Sequence, residues 1–338
     1  MLNAYGHEVH KVDTSFGRML KTVEWLPAST LTGSDQNSGR LEIGSKLFVK
    51  SREARQLFAG HVSYLLPDPD PTSKLASFLG IQQSISVEFT AEMLKSWCDR
   101  RENASTPTTF ATSLQHIQSV YNFLEQNMTK VQLDELLRGH PVVFYPCSRS
   151  ADIVEGRFLF WSEVVWVDET RLFEKYRESL LNADPASAKL YRYPLHGVYP
   201  DMEEFFRRTV HVMKSPGIAD LVKLSIHISG TSVVPKALPD VLSIFSMIGQ
   251  TLLTGEVDDM LRSLLEQLKA EKVIPGKKGC WLHLDCRPMI ADDRDLEKKF
   301  EEDATVFFVD CGEKLGVGNT RKKGADKGPF ILLTYFCS

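Results

Sequence analysis

Val142-Val143-Phe144-Tyr145-Pro146, then Gly156-Arg157-Phe158-Leu159, then Val164-Val165-Trp166-Val167-Asp168, is the stretch that decides how this chain is read. Apolar runs broken by polar turn residues have the grammar of paired strands. Asp168 stands where a helix needs a cap, ahead of Leu172, Phe173 and Tyr176. The unit is therefore strand, turn, strand, helix.

The same order occurs twice more. One copy runs from Val23–Pro27 through Gly39-Arg40-Leu41 and Leu47-Phe48-Val49 to Ser51, with a helix through Leu57 and Phe58. The other runs from Val273–Pro275 through Gly279-Cys280-Trp281-Leu282 and Met289-Ile290 to Asp292-Asp293, with a helix through Leu296 and Phe300. From Leu41 to Ser51 and from Phe158 to Asp168 is ten residues, and from Trp281 to Asp292 is eleven. The anchors Pro27, Pro146 and Pro275 lie 119 and then 129 residues apart, far beyond a solenoid period. Two readings stand: a true repeat, or common grammar met three times. The expected fold is α/β, an α-rich α+β arrangement of three related strand–turn–strand–helix cassettes separated by helical inserts. The expected divisions are 1–66 (first cassette, partial), 72–190 (helical insert and second cassette), 191–270 (helical) and 271–338 (third cassette, truncated).

At 338 residues the chain can bury a sizeable core. Hydrophobic content of 43% and charged content of 25% are ordinary for a globular protein. A net charge of −4 and a pI near 6.2 argue against a dominant nucleic-acid surface. Six scattered cysteines, no signal peptide and no spanning apolar run point to a reduced intracellular setting, cytoplasmic or nuclear. The sequons at Asn103 and Asn127 are then expected to go unused. Phe330–Cys337 reads as a strand needing partners, so a fragment or truncated product is expected.

Pro67, Pro69 and Pro71 break regular structure. A helix is expected from about Thr90 with Met93, Leu94 and Trp97 inward. A second is expected from about Thr109, with Phe110, Leu114, Ile117, Tyr121 and Leu124 on one face. Asp201-Met202-Glu203-Glu204 fits a capping box. Val241, Ile244, Phe245, Ile248 and Leu252 mark one amphipathic helix. Val257, Leu261, Leu264, Leu265 and Leu268 mark another, with Gly255 between them, so the pair should form an antiparallel hairpin. A strand is expected at Thr305–Val309 and a loop at Gly312–Gly328.

Candidate chemistry does not assemble. Cys280-x-x-His283-x-x-Cys286 with Asp285 has the residue types of a zinc site. On a strand, however, His283 faces away from both cysteines, whose sulfurs would stand roughly 20 Å apart. The stretch Asp310–Asn319 is glycine-rich but lacks a phosphate-loop signature. There is no Gly-x-Ser-x-Gly. His116 is placed on a polar helix face, and His7, His10, His196 and His211 carry no motif. Asp258-Asp259 and Asp292-Asp293 read as helix starts. Phe158, Phe160, Trp161 and Trp166 read as sheet core before a ligand cage. No catalytic, cofactor-binding or metal-binding residue is assigned, and no cofactor.

His140-Pro141-Val142-Val143-Phe144-Tyr145-Pro146, Gly156-Arg157-Phe158 and Val165-Trp166-Val167-Asp168 resemble the NO VEIN-like family of large plant proteins and their animal relatives. Leu47–Ser51 to Tyr64-Leu65, Phe78-Leu79-Gly80-Ile81, Phe110 to Tyr121, Phe205-Phe206 and Trp281–Leu284 extend the resemblance over about residues 15–310. It implies a sacsin-like protein with a histidine-kinase/Hsp90-type ATPase module, of which this chain is a downstream region. That module needs an Asn-bearing helix and an Asp-x-Gly-x-Gly box. Asp310-Cys311-Gly312-Glu313-Lys314 fails at the second glycine, so no nucleotide site transfers.

The leading expectation is a non-catalytic scaffold or interaction region beside an ATPase module, with protein partners or neighbouring domains, no membrane and no nucleic acid. The alternative is an enzyme whose site gathers Asp168, Arg171, His196, Asp201, His211 and Asp285 without a recognisable motif. A third reading places nucleic acid on Arg321–Lys327.

Overall fold

Ser51 is the residue at which an extended run becomes a helix: its hydroxyl accepts from the Ala54 amide at 3.0 Å, satisfying a first-turn donor. In this computed structural model the described residues are 15–30, 40–66, 74–99, 109–147, 153–254, 259–289, 294–300, 302–303 and 306–310. They form an α-rich mixed α/β fold with several small sheets. Contacts divide the chain into two units: Met1–Trp161 with Glu204–His211, and Ser162–Glu203 with Val212–Ser338.

Unit 1 begins with α1 (Ser15–Thr22). Strands β1 (Leu26–Ser29), β2 (Arg40–Glu42), β3 (Leu47–Phe48) and β4 (Ser63–Leu65) form a sheet in the order β2-β1-β4-β3. The β3–β4 pair is parallel and the other two are antiparallel. The helix α2 (Arg52–Phe58) crosses between β3 and β4, which a parallel pair requires. Leu26, Ala28, Leu47 and Leu65 of the sheet pack on Leu75, Ala76, Leu79 and Ile81 from and after α3 (Lys74–Phe78). Tyr64 is fully buried and its hydroxyl reaches the carbonyls of Ala54 and Ala59.

The helix α4 (Val87–Asp99) buries Leu94 and Trp97. The helix expected from Thr109 starts later. Phe110 lies in strand β5 (Phe110–Thr112), and α5 (Leu114–Asn127) begins after Ser113, whose hydroxyl caps the His116 amide. Ile117, Tyr121 and Leu124 form its buried stripe, as their spacing requires. After α6 (Lys130–Gly139), β6 (Val143–Pro146) and β7 (Val154–Leu159) make a hairpin to which β5 adds, in the order β5-β7-β6. Gly156 is needed there, since a β-carbon would strike the Phe144 ring and lie 2.6 Å from the Tyr145 carbonyl oxygen.

Unit 2 holds β8 (Val164–Val165) parallel to β9 (Tyr193–Pro194), with α7 (Leu172–Lys175), α8 (Arg177–Ala183) and α9 (Pro185–Ala188) between them. Three longer helices follow: α10 (Ile218–Thr231), α11 (Val234–Thr254) and α12 (Asp259–Ala270). Both α11 and α12 pack on α10. Val241, Ile244, Phe245 and Ile248 are buried, as are Leu261, Leu264, Leu265 and Leu268. Strands β10 (Ile274–Pro275) and β11 (Trp281–Leu282) pair antiparallel, and α13 (Arg294–Phe300) follows.

The capping box expected at Asp201 does not form. The Asp201 side chain is exposed, and the next ordered turn, Phe205–Thr209, is a wide π turn entered from Glu204. Val257, Gly255, Pro67–Pro71, Gly312–Gly328 and Phe330–Cys337 lie outside the described residues.

Candidate functional site

The six polar residues whose convergence would mark an enzyme are not gathered. Asp168 alone is buried, and one of its oxygens meets a first-turn amide of the helix that follows while the other takes the Thr170 hydroxyl. Oδ2 accepts from the Phe173 amide at 3.0 Å and Oδ1 from the Thr170 hydroxyl at 2.7 Å. Arg171 is exposed in the left-handed region at φ 57. His196 is exposed, its ring edge-on to Trp166 at 5.5 Å. Asp201, His211 and Asp285 are exposed, the Asp285 carboxylate lying 3.3 Å from Nδ1 of His283. Among the described residues no hydrogen bond or ion pair links the side chains of any two of the six.

The cysteine–histidine run bends where a continuous strand was expected. The strand ends at Leu282, and Leu284–Cys286 is a tight 3-10 turn in which His283 Nδ1 accepts from the Asp285 amide at 3.1 Å. Cys280 and Cys286 are exposed. Among the described residues no group of three His, Cys, Asp or Glu is placed to hold a metal ion. Asp259 opens α12, while Asp258, Asp292, Asp293 and Asp310–Asn319 beyond Asp310 lie outside the described residues. Of the aromatic set, Phe158 and Trp166 are core, Phe160 is exposed, and Trp161 lies under the Arg138 guanidinium at 5.6 Å.

The most concentrated chemistry in unit 1 is a ring cluster that the sequence reading missed. His61 stacks on Phe110 at 4.6 Å and on His116 at 5.5 Å, and Trp97 stacks on Phe110 at 5.2 Å. His116 is buried, not on a polar face. Its Nε2 lies 2.7 Å from the Leu57 carbonyl oxygen and its Nδ1 lies 2.7 Å from the Thr112 hydroxyl. A carbonyl only accepts, so Nε2 carries the proton and Nδ1 accepts from Thr112. Burial pulls the pKa below the ordinary histidine value, partly opposed by the Leu57 bond. The ring is neutral, with both nitrogens engaged. It ties α2 to α5 and has no free position for a substrate proton.

Among the described residues of unit 2, three polar ties between side chains reach α10 or α11. Asp240 on α11 accepts from Lys175 Nζ at 2.6 Å and from the Tyr176 hydroxyl at 2.7 Å. Burial first, and then Asp240, raise the Tyr176 phenol above its usual range. Arg192 meets Asp220 on α10 at 2.6 Å, and Asp220 also accepts from the Gly217 amide at 3.1 Å. The third tie, Ser179 with His227 at 3.0 Å, has the residue types of a nucleophile and base. Its protons run the wrong way. The Ser179 hydroxyl donates to the Tyr176 carbonyl at 3.0 Å, so its oxygen accepts from His227 Nε2 and the histidine cannot act on that hydroxyl as a base. Each tie joins an early helix or loop to a later helix, a partnership that local spacing does not reveal.

No family model matches the chain, and no solved structure matches it. The chain is similar to Protein NO VEIN of Arabidopsis thaliana, at 22% identity over 315 residues, covering 90% of this chain and 11% of that protein. It thus spans about a tenth of the length of the curated relative it matches. This supports the NO VEIN-like resemblance read from the sequence. No helix among the described residues is long and apolar enough to cross a membrane.

Proposed function

We propose that this chain is a non-catalytic scaffold or interaction region of a large multidomain protein, chaperone-like or regulatory, that works beside an ATPase module. One observation carries the reading. Among the described residues the buried acids and histidines are each bonded within the fold: Glu42 to Arg40 of its own strand, Asp168 to a first-turn amide of α7, and His116, Asp220, His227 and Asp240 as ties between elements. Reactive sites usually keep such groups convergent and aimed at a cavity; here they are spent on packing. The partner is another protein or a neighbouring domain of the same polypeptide, in the cytoplasm or nucleus.

Calorimetric titration of the chain with ATP and magnesium, together with a phosphate-release assay, tests this. No heat of binding and no turnover are expected. Saturable binding accompanied by turnover overturns the reading.

A further inference from the structure

Three segments far apart in the sequence build a like antiparallel strand pair, placed alike relative to the turn that follows it. Leu26 pairs with Glu42 and Pro27 with Leu41; Val143 pairs with Leu159 and Phe144 with Phe158; Ile274 pairs with Leu282 and Pro275 with Trp281. A 3-10 turn begins three residues after Leu41, Phe158 and Trp281, at Gly44–Lys46, Trp161–Glu163 and Leu284–Cys286. The chain then runs parallel to a later strand: Phe48 beside Tyr64, Val165 beside Pro194, Met289 beside Phe308. The third copy has one extra residue here, where Arg287 sits at φ 49. The first and third copies agree further. Ala28 pairs with Leu65 and Gly276 with Val309. The Leu66 amide donates to the Pro27 carbonyl at 2.9 Å, as the Asp310 amide does to the Pro275 carbonyl at 2.7 Å.

The correspondence continues into the helices. The Val49 amide donates to the Gln82 carbonyl, and the Trp166 amide to the Met213 carbonyl. Five residues beyond those carbonyls α4 and α10 begin, at Val87 and Ile218. The helix α6 ends at Gly139 and α12 at Ala270, and the Val142 amide closes on His140 as the Val273 amide closes on Glu271. Gln82 to Met213 and Val142 to Val273 are both steps of 131 residues. Common strand–turn–helix grammar explains neither the shared placement of strand pair and turn nor an offset held at both ends of this stretch.

We infer that 26–142 and 143–273 are tandem copies of one module, that Ile274 opens a third, and that the hairpin opening each module docks on the module before it. Within unit 1, β5 of the first module adds to β7 of the second. The Tyr121 hydroxyl donates to the Val142 carbonyl at 2.7 Å and accepts from the Phe144 amide at 2.8 Å. Within unit 2, Trp281 of the third hairpin donates to the Ser232 carbonyl at 2.8 Å, at the end of α10. Docking of this kind puts contact units out of phase with sequence modules: the first stretch of unit 1 runs on to Trp161, after the second hairpin. The partner this hairpin surface fits is a preceding module of the same kind. The inference is independent of the scaffold proposal, since it concerns how modules join and not what they bind.

Deleting Val143–Val273 from the full chain joins Val142 to Ile274, and deleting Gln83–Met213 joins Gln82 to Lys214. Each removes one period, cut at a different phase. Both variants are expected to unfold in one cooperative thermal transition with helix signal per residue retained, whereas deleting Val143–Leu242 breaks phase and abolishes the transition. Loss of cooperative unfolding in both in-phase variants overturns the tandem reading. The docking half is tested in the intact chain with Tyr121→Phe, which should speed amide exchange in β6 and β7 by about tenfold. Unchanged exchange there, in a folded variant, overturns the docking.

Discussion

His116 couples the stability of unit 1 to pH. Its folded-state pKa lies below the ordinary histidine value because burial disfavours the imidazolium. The unfolded chain therefore binds the proton more readily. The stability this ring confers is complete above the unfolded value of about 6.5 and is lost as pH falls through the folded value. His227 in unit 2 is shifted the same way, chiefly by burial and against the opposing charge of Asp184. Thermal midpoints measured from pH 7.5 down to 5 should fall for the parent chain, fall less for His116→Gln and for His227→Gln, and least for the double variant. Parallel curves for all four would remove both histidines as the cause. Neither residue could be identified from the sequence alone. Gln115, Gln118 and Ser119 make the neighbourhood of His116 look polar, and the carbonyl that claims its ring belongs to Leu57, far back in the chain.

At the scale of elements, the amphipathic helices were legible because burial and period follow one rule. Ile117, Tyr121 and Leu124, Val241 to Ile248 of the α11 stripe and Leu261 to Leu268 of the α12 stripe are buried as their spacing demands, while Leu252 is only half-buried. Ends were harder to read: Phe110 fits the α5 stripe by count but belongs to β5, because Ser113 captures a first-turn amide and starts the helix after it. Two glycines make opposite predictions. Gly156→Ala places a β-carbon against the Phe144 ring and the Tyr145 carbonyl and should cost about 1–3 kcal/mol. Gly230 lies inside α10 with nothing within 4 Å of a β-carbon, so Gly230→Ala should stabilise by about 0.5–1 kcal/mol. Denaturant midpoints at constant slope measure both. Asp168→Ala removes the acceptor of a buried Phe173 amide and should cost about 1–3 kcal/mol, with Asp168→Asn costing less.

For the whole molecule, the sequence showed the cassettes but not their register, since pairing partners such as Ala28 and Leu65 are set by chain closure over long distances. It also gave no sign of the polar ties of unit 2, whose partners lie far apart in sequence. Those ties permit a test of how independently the two units hold together. Arg192 and Asp220 have side chains 13% and 7% exposed, so Arg192→Met leaves a buried carboxylate without its cation, at a cost of about 3 kcal/mol. Asp220 also holds the start of α10, so amides of α10 and of its partner α12 should exchange faster. The Gly156→Ala defect belongs to unit 1 and shares no partner with this pair. Its exchange signature should stay with β5, β6 and β7. If each unit keeps its own core, the double variant loses the sum of the two single costs, within about 0.5 kcal/mol. A coupling above about 1 kcal/mol would show instead that the two cores fold as one cooperative body.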